Sequence, residues 1–573
     1  MAFSISPGVT VSEVDLTTVI PSVLTTAGAY AGAFNWGPAN KRIQLSSESQ
    51  LNSVFTKPDS NTFISYFTAA GFLSYGNNLQ VVRAVGANGR NADANTLNSN
   101  VLVTNEDNYE YTYLNSNNAF VYGAFMGRYA GVLGNSLTVS MIDAGAGANA
   151  FASWNVNGVG VSSYFGAAPT TSAQAAAVGG ANDQIHVVVV DTGGLFSGAK
   201  NTVLEAFPFL SKGVDSKDAL GNSNYYKNYI FRNSKYVYAM DPPNYVSTVT
   251  TWGFGLANTS FATLTTPYIN ILSGGVDDQP SDGAVQNAYS LFTNADEVDV
   301  SLVITGNASV STQQYVIDNI ANARKDCVAF VSPPSSAVVN QAGNEVTNIV
   351  SWTSSLARST SYAFADCGWK YTFDKYNNTY RYIPLNADMA GLCVNTDSVR
   401  DPWFSPAGYN RGNLKNVVKL AWNPTKAQRD SLYAVAVNPV GVFPGQGTLL
   451  YGDKTLQTQP SAFDRINVRR LFIVLEKAIA QASKFALFEF NDSFTQSQFV
   501  AIVTPYLRDV LGRRGIYDFR VVCDSTNNTQ QVIDSNQFVG DIYIKPARAV
   551  NFIQLNFVAV RTGVDFTEVV GRF

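Results

Sequence analysis

The sequence predicts a multidomain protein of mixed class, with a central α/β domain, an inserted mostly-β domain and a terminal α+β domain. Three stretches predict it. Near Asp299, "VDVSLVITG" reads as a buried strand, "TQQYVIDNIANA" has helical spacing, and "CVAFVSPP" is a second apolar strand. A strand–helix–strand unit of this kind implies a parallel pair. Residues 128–270 carry short β runs such as "SLTVSMID" and "IHVVVVD", split by Gly, Ala, Ser and Asn, the punctuation of an inserted surface domain. The last third alternates helices and strands. Its strongest helix is "RINVRRLFIVLEKAIAQASKFALF", with Ile466, Leu471, Leu475, Ile479, Ala482 and Phe485 at mostly three- or four-residue steps.

The remaining elements follow in order. The first fifteen residues alternate with period two: Phe3, Ile5, Val9 and Val11 lie on one side and Ser4, Ser6, Thr10 and Ser12 on the other. Pro7-Gly8 interrupts the run, which suits an exposed arm or an edge better than a central strand. A terminal strand folded onto its own domain gives the same pattern. Residues 23–90 hold an amphipathic helix around Phe63–Leu73 and the strand "LQVVRAV"; residues 91–127 are Asn-rich and irregular. "WKYTFDKYNNTYRYIP" reads as a hairpin turning at Asn377-Asn378, with Trp369, Tyr371 and Phe373 on one face. Asn423-Pro424 fits a helix start, Asn capping and Pro at the first position. From Ile542 the chain reads as one long two-faced strand, then Gly563, then a shorter strand containing Val564 and Phe566. Such an end, left alone, would expose an unpaired, partly apolar edge.

Composition narrows the function. At 573 residues the chain has room for about three or four domains at the usual ~100–200 residues each. Charged residues make up only 14% and hydrophobic ones 46%, which suits a chain that hides much surface against other chains. The net charge of −4 gives no reason to propose nucleic acid as a partner. It conceals an asymmetry: residues 405–573 hold 19 Lys+Arg and 13 Asp+Glu, so the last third is basic relative to the rest. Ordinary sampling over so few charges gives the same asymmetry. Four scattered cysteines (Cys327, Cys367, Cys393, Cys523) form no CxxC pair and read as small buried hydrophobes in a reducing compartment. No secretory signal opens the sequence, and no apolar run approaches the ~18–20 residues that span a bilayer, so a soluble cytoplasmic product without membrane insertion is expected.

Chemistry is sparse. The single histidine, His186, sits in an apolar strand and reads as structural. No GxSxG elbow accompanies it and no GxxxxGK[ST] loop is present. The strand–helix–strand unit offers only Thr305-Gly306 and Ser332-Pro333-Pro334 at its carboxyl ends. Asp296, Glu297 and Asp299 cluster before a strand; paired carboxylates can perform glycosidase work, but three acids in four residues more often form a solvated loop. Neither a catalytic residue nor a metal or cofactor is expected.

Several blocks of sequence together resemble one family. "DPWFSPAGYNRG" (401–412), "LLYGDKT" (449–455), "FDRINVRRLF" (463–472), "YDFRVVCDSTNNT" (517–529) and "IYIKPARAVNFIQLNF" (542–557) are similar to the tail sheath proteins of contractile-tailed bacteriophages. So are "SPGVTVSEVD" (6–15), "FNWGP" (34–38) and "GNNLQVVRAV" (76–85). The resemblance covers roughly residues 1–90 and 270–573 and departs in the middle, where the outward protrusion of larger relatives is expected to be missing or reduced.

The resemblance implies an arm at 1–22, a central α/β domain at 23–90 plus 270–404, an inserted outer domain at 91–269, and a C-terminal domain at 405–573 ending in an arm at 562–573. It implies a structural subunit that polymerises helically around a tail tube and contracts by rigid-body rearrangement to drive the tube through the host envelope. Its partners would be further copies of itself, the tube protein, and baseplate and neck or terminator proteins. Exchangeable arms (Phe3, Ile5, Val9, Val11; Val564, Phe566) would add strands to neighbouring sheets, received by a strand with Ile553, Leu555 and Phe557 on its core face. Arg470, Lys477 and Lys484, spaced every seven residues, or Lys426 and Arg429, would meet the tube; a charged stripe of this kind is also an ordinary solvated face. The alternatives are the sheath of a non-phage contractile injection particle, a static shell or surface-layer protein, and a carbohydrate-active hydrolase with β domains.

Overall fold

In the computed structural model, residues 23–93, 101–114, 122–243, 251–551 and 553–554 are described. They divide into two units, one of residues 23–402 and 406–481, the other of 482–554 together with Trp403–Ser405.

The larger unit is built on a seven-stranded sheet in the order Val437–Asn438, Ala363–Asp366, Val328–Val331, Leu302–Ile304, Gly28–Gly32, Leu79–Arg83, Arg42–Leu45. All neighbours run parallel except the last pair. The expected strand–helix–strand unit is its centre: Leu302–Ile304 pairs in parallel with Val328–Val331 across the helical stretch 310–324. These strands are apolar throughout because both faces are covered, as parallel sheets require. The helix Phe63–Leu73 forms where its spacing predicts, and packs so close to the sheet that a Cβ on Gly28 would lie 2.7 Å from the Phe72 ring. Gly391 in the helix Asn386–Val399 is confined in the same way, 2.3 Å from Tyr75. His186 and all four cysteines are buried, and burial pushes the thiols of Cys327, Cys367 and Cys393 up to about 12.

Two of the short blocks noted above prove to be structural joints. Phe34 stacks on Phe55 at 4.5 Å, while Trp36 turns the other way, edge-on to Tyr129 and Phe196 in the core of the inserted domain. Buried Arg83 closes this loop by donating to the carbonyls of Phe34, Gly37 and Ala130.

The insert has its own core and two antiparallel sheets. One follows the order Thr202–Ser211, Gln184–Asp191, Leu137–Asp143, Tyr268–Ile271; the other Val237–Ala239, Phe125–Ala130, Asn91–Asp93. Its two connections to the central sheet run side by side. Arg90 and Val276 exchange backbone hydrogen bonds at 3.1 Å, and Asp93 and Ser273 at 2.8 Å.

Three local expectations are corrected. The helix after Asn423-Pro424 begins two residues later: Lys426–Ala434 is capped by Thr425 in a reciprocal box with Gln428, while the Asn423 amide oxygen accepts from Val442. Thr425→Ala is expected to lower the unfolding free energy by about 1 kcal/mol, read from urea titration. The long helix ends at Ser483, and Phe485 leaves the apolar stripe, 71% exposed in a 3-10 turn. Residues 406–481 pack into the larger unit rather than with the rest of the 405–573 domain, since Val437–Asn438 supplies the edge strand of the central sheet.

Candidate assembly surfaces

The carboxyl ends of the parallel strands, where an α/β enzyme would bind a ligand, are filled by protein. The Asn386 amide donates to Gly306 O at 2.8 Å and accepts from Gly306 N at 3.0 Å, and Asn386 N donates to Ser332 Oγ at 3.0 Å. Ser332 Oγ donates onward to Asp366 at 2.6 Å, and the Trp369 indole donates to Pro333 O. The acids before the Leu302 strand do not converge: Glu297 pairs with Arg42, and Asp299 with Lys477 at 2.7 Å. His186 is held between Ala167 O and Phe209 N and stacked on Phe165. Burial pulls its pKa down.

The surfaces of interest lie at the two chain ends. At the amino end of the described residues, Gly28–Gly32 is a central strand of the large sheet. The smaller unit is organised around the helix Ser493–Gly512, whose N-cap Asp492 accepts from Phe494 N and Thr495 N. Beside it lies an antiparallel ladder, Ile516–Val522 with Asp541–Pro546, in register from Asp518↔Lys545 to Val522↔Asp541, with a bulge between Ile516 and Asp518. Asn528 ties the intervening loop by exchanging two hydrogen bonds with Val539. Gly515 must be small here, since a Cβ would lie 2.7 Å from Val510. Two strands alone are marginal, and among the described residues neither outer edge of this ladder is paired. Around it Tyr517, Tyr543, Val550 and Ile553 are exposed, as are Phe485, Leu487, Phe488, Phe490 and Phe494. That Phe-rich segment passed unnoticed in the sequence, although "KFALFEFNDSF" displays it directly.

Of the anticipated arm and receiving residues, Phe3, Ile5, Val9, Val11, Leu555, Phe557, Val564 and Phe566 lie outside the described residues. Ile553 is 79% exposed. The basic residues do not form one stripe. Arg470 is buried and bidentate on Asp397, at 2.8 and 2.6 Å. Lys477 is held against Asp299, Val300 O and Ser301 Oγ. Lys426 is exposed beside Asp430, Lys484 is exposed, and Arg429 lies over the Phe443 and Tyr451 rings.

Comparison with known proteins gives the family. Residues 283–456 match the phage tail sheath protein central domain and residues 458–559 the phage tail sheath C-terminal domain. The tail sheath protein of Vibrio phage KVP40 is 34% identical over 691 aligned positions, covering 99% of this chain and 100% of the relative. The chain belongs to the phage tail sheath protein family. The tail sheath protein of Enterobacteria phage T4 is 32% identical with 99% of each covered. The KVP40 alignment exceeds the 573 residues of this sheath protein by 118 positions, so at least that many face gaps here. The helical sheath of the anti-feeding prophage in its contracted state shares the fold at 12% identity, with 97% of this chain and 99% of that one covered and a TM-score of 0.51. A sheath tail protein from Listeria innocua does so at 10% identity, 93% and 97% coverage and a TM-score of 0.51. This sheath protein is a structural subunit of a contractile sheath and a virion component. Among its described residues no helix is long and apolar enough to cross a membrane.

Proposed function

We propose that copies of this subunit polymerise helically around a tail tube through exchanged terminal strands, and that sheath contraction drives the tube through the host envelope to deliver the genome. The observation that carries the arm linkage is the incomplete ladder of Ile516–Val522 and Asp541–Pro546, open on both edges among the described residues, with the partly alternating sequence 555–573 following beyond residue 554. Main-chain pairing along an open edge supplies strength, and the two-residue period of side chains sets register. Phe3, Ile5, Val9 and Val11 of one subunit and Val564 and Phe566 of another are the incoming strands in this reading, and Leu555 and Phe557 with Ile553 the receiving one.

Linked rigid bodies can change packing without refolding, so the work of contraction comes from the difference between two arrangements of one chain and needs no bound nucleotide or enzymatic step. Lys426, Arg429 and Lys484 are the basic groups assigned to the tube; Arg470 and Lys477 are engaged within the subunit. Baseplate and neck or terminator proteins bound the two ends of the sheath, and assembly takes place in the host cytoplasm. The test is electron microscopy of the full chain beside a variant lacking residues 1–15 and 562–573, each with and without tubes as template. The full chain is expected to form rings or tubes while the shortened chain stays folded and monomeric. Tubes formed equally by both would overturn the arm linkage.

A further inference from the structure

Arg470 and Lys477 stand two helical turns apart on the helix Ile466–Ser483, and each holds a residue, Asp397 or Ser301, that bonds to the first residues of the described chain. The Thr25 hydroxyl donates to Asp397 Oδ2 at 2.7 Å, the same carboxylate that Arg470 grips with two hydrogen bonds. Arg470 and Asp397 each expose only 5% of their side chains. Ser301 Oγ donates to Leu24 O at 2.9 Å and accepts from Lys477 Nζ at 3.1 Å. Ser301 N donates to Ala27 O at 2.9 Å, which continues into the central strand Gly28–Gly32. Residues 24–27 are therefore tied at three successive points, two of them backed by cations of a single helix. In sequence that helix runs directly into residues 482–554.

We infer that Arg470 and Lys477 are positioning residues that anchor the root of the N-terminal arm, so that tension arriving through the arm passes at Thr25 and Leu24, by way of Asp397 and Ser301, into the helix that leads to the C-terminal unit. This rests on the arm linkage proposed above. A charge-assisted, bidentate contact is suited to the task because it resists both sliding and rotation of the carboxylate it holds. A surface charge facing a tube would need neither the burial of Arg470 nor the paired contacts on the arm root.

The experiment uses full-length subunits assembled on tubes, comparing wild type with Thr25→Val and Lys477→Met. Thr25→Val removes one hydroxyl and Lys477→Met one ammonium with its bonds to Asp299, Val300 O and Ser301 Oγ; both leave the buried Arg470–Asp397 pair intact, and Arg470→Gln is the severe variant. Amide exchange at residues 24–28 is expected to quicken about five- to tenfold in Thr25→Val, the effect of one lost hydrogen bond, and by at least as much in Lys477→Met. Sheaths triggered to contract are expected to break between subunits more often than wild type. Unchanged exchange together with intact contraction would overturn the anchor. The truncation lacking residues 1–15 separates the two readings. If it assembles normally, the arm linkage itself fails; if it does not, while Thr25→Val and Lys477→Met leave both exchange and contraction unchanged, the anchor alone fails.

Discussion

Lys212→Met is expected to destabilise the inserted domain by about 3–5 kcal/mol, the usual cost of leaving one member of a buried ion pair alone. Lys212 and Asp143 are wholly buried, with Nζ 2.6 Å from Asp143 Oδ2. The other two ammonium hydrogens go to Asn182 O at 2.9 Å and Ala262 O at 3.0 Å, and the cation lies 4.9 Å from the centre of the Trp252 ring. These contacts join the ends of two strands, Leu137–Asp143 and Thr202–Ser211, that flank Gln184–Asp191 in one sheet. Methionine fills the space but leaves the Asp143 carboxylate with only the backbone donors Gly145 N and Leu264 N. The double variant Lys212→Met/Asp143→Leu removes the orphaned charge and is expected to recover much of the loss. Urea titration followed by tryptophan fluorescence reads both; a single variant within about 1 kcal/mol of wild type would show that the pair contributes little.

The second large effect is a dependence of stability on pH set by Asp366. Complete burial pushes this carboxyl up to about 8, against the opposing influence of the Ser332 hydroxyl and Gly368 N–H. Its folded pKa lies above the unfolded value, so the native state holds a proton that the unfolded chain releases. The resulting stability is fully present below about pH 4 and is lost as pH rises towards about 8. A shift of this size corresponds to a loss on the order of 5 kcal/mol across that window. Denaturation midpoints of unassembled wild type at pH 5, 7 and 9 should fall with pH, and Asp366→Asn should flatten the fall. Parallel profiles for the two proteins would remove Asp366 as the source.

Patterns carried by neighbours in sequence were legible; pairings made across long separations were not. The apolar runs at 302–304 and 328–331 announce a parallel, two-sided core because no alternation is left for solvent. The hairpin at 369–384 is visible from its own residues, and Asn378 takes the positive φ of 49° that its turn needs. Helix starts are less certain, since Asn423 and Thr425 are both good caps and only the Gln428 box favours the second. Arg470 and Lys477 read as a solvated or tube-facing stripe because their spacing says nothing about Asp397 or Asp299, which arrive from elsewhere in the chain. The plug at Asn386 was invisible for the same reason: Gly306 lies 80 residues away from it in sequence.

The paired connections of the insert carry a consequence for redesign of the subunit. Arg90 with Val276 and Asp93 with Ser273 bring the outgoing and returning chain together as a short antiparallel ribbon. Across such a pair the Cα atoms lie about 5 Å apart, whatever the ribbon supports beyond it. The chain thus enters and leaves the insert at one narrow site, and Trp36 and Arg83 brace the insert beside it. A foreign domain with adjacent termini could be grafted at that site by design, provided it also offers a pocket for Trp36 and an acceptor for Arg83.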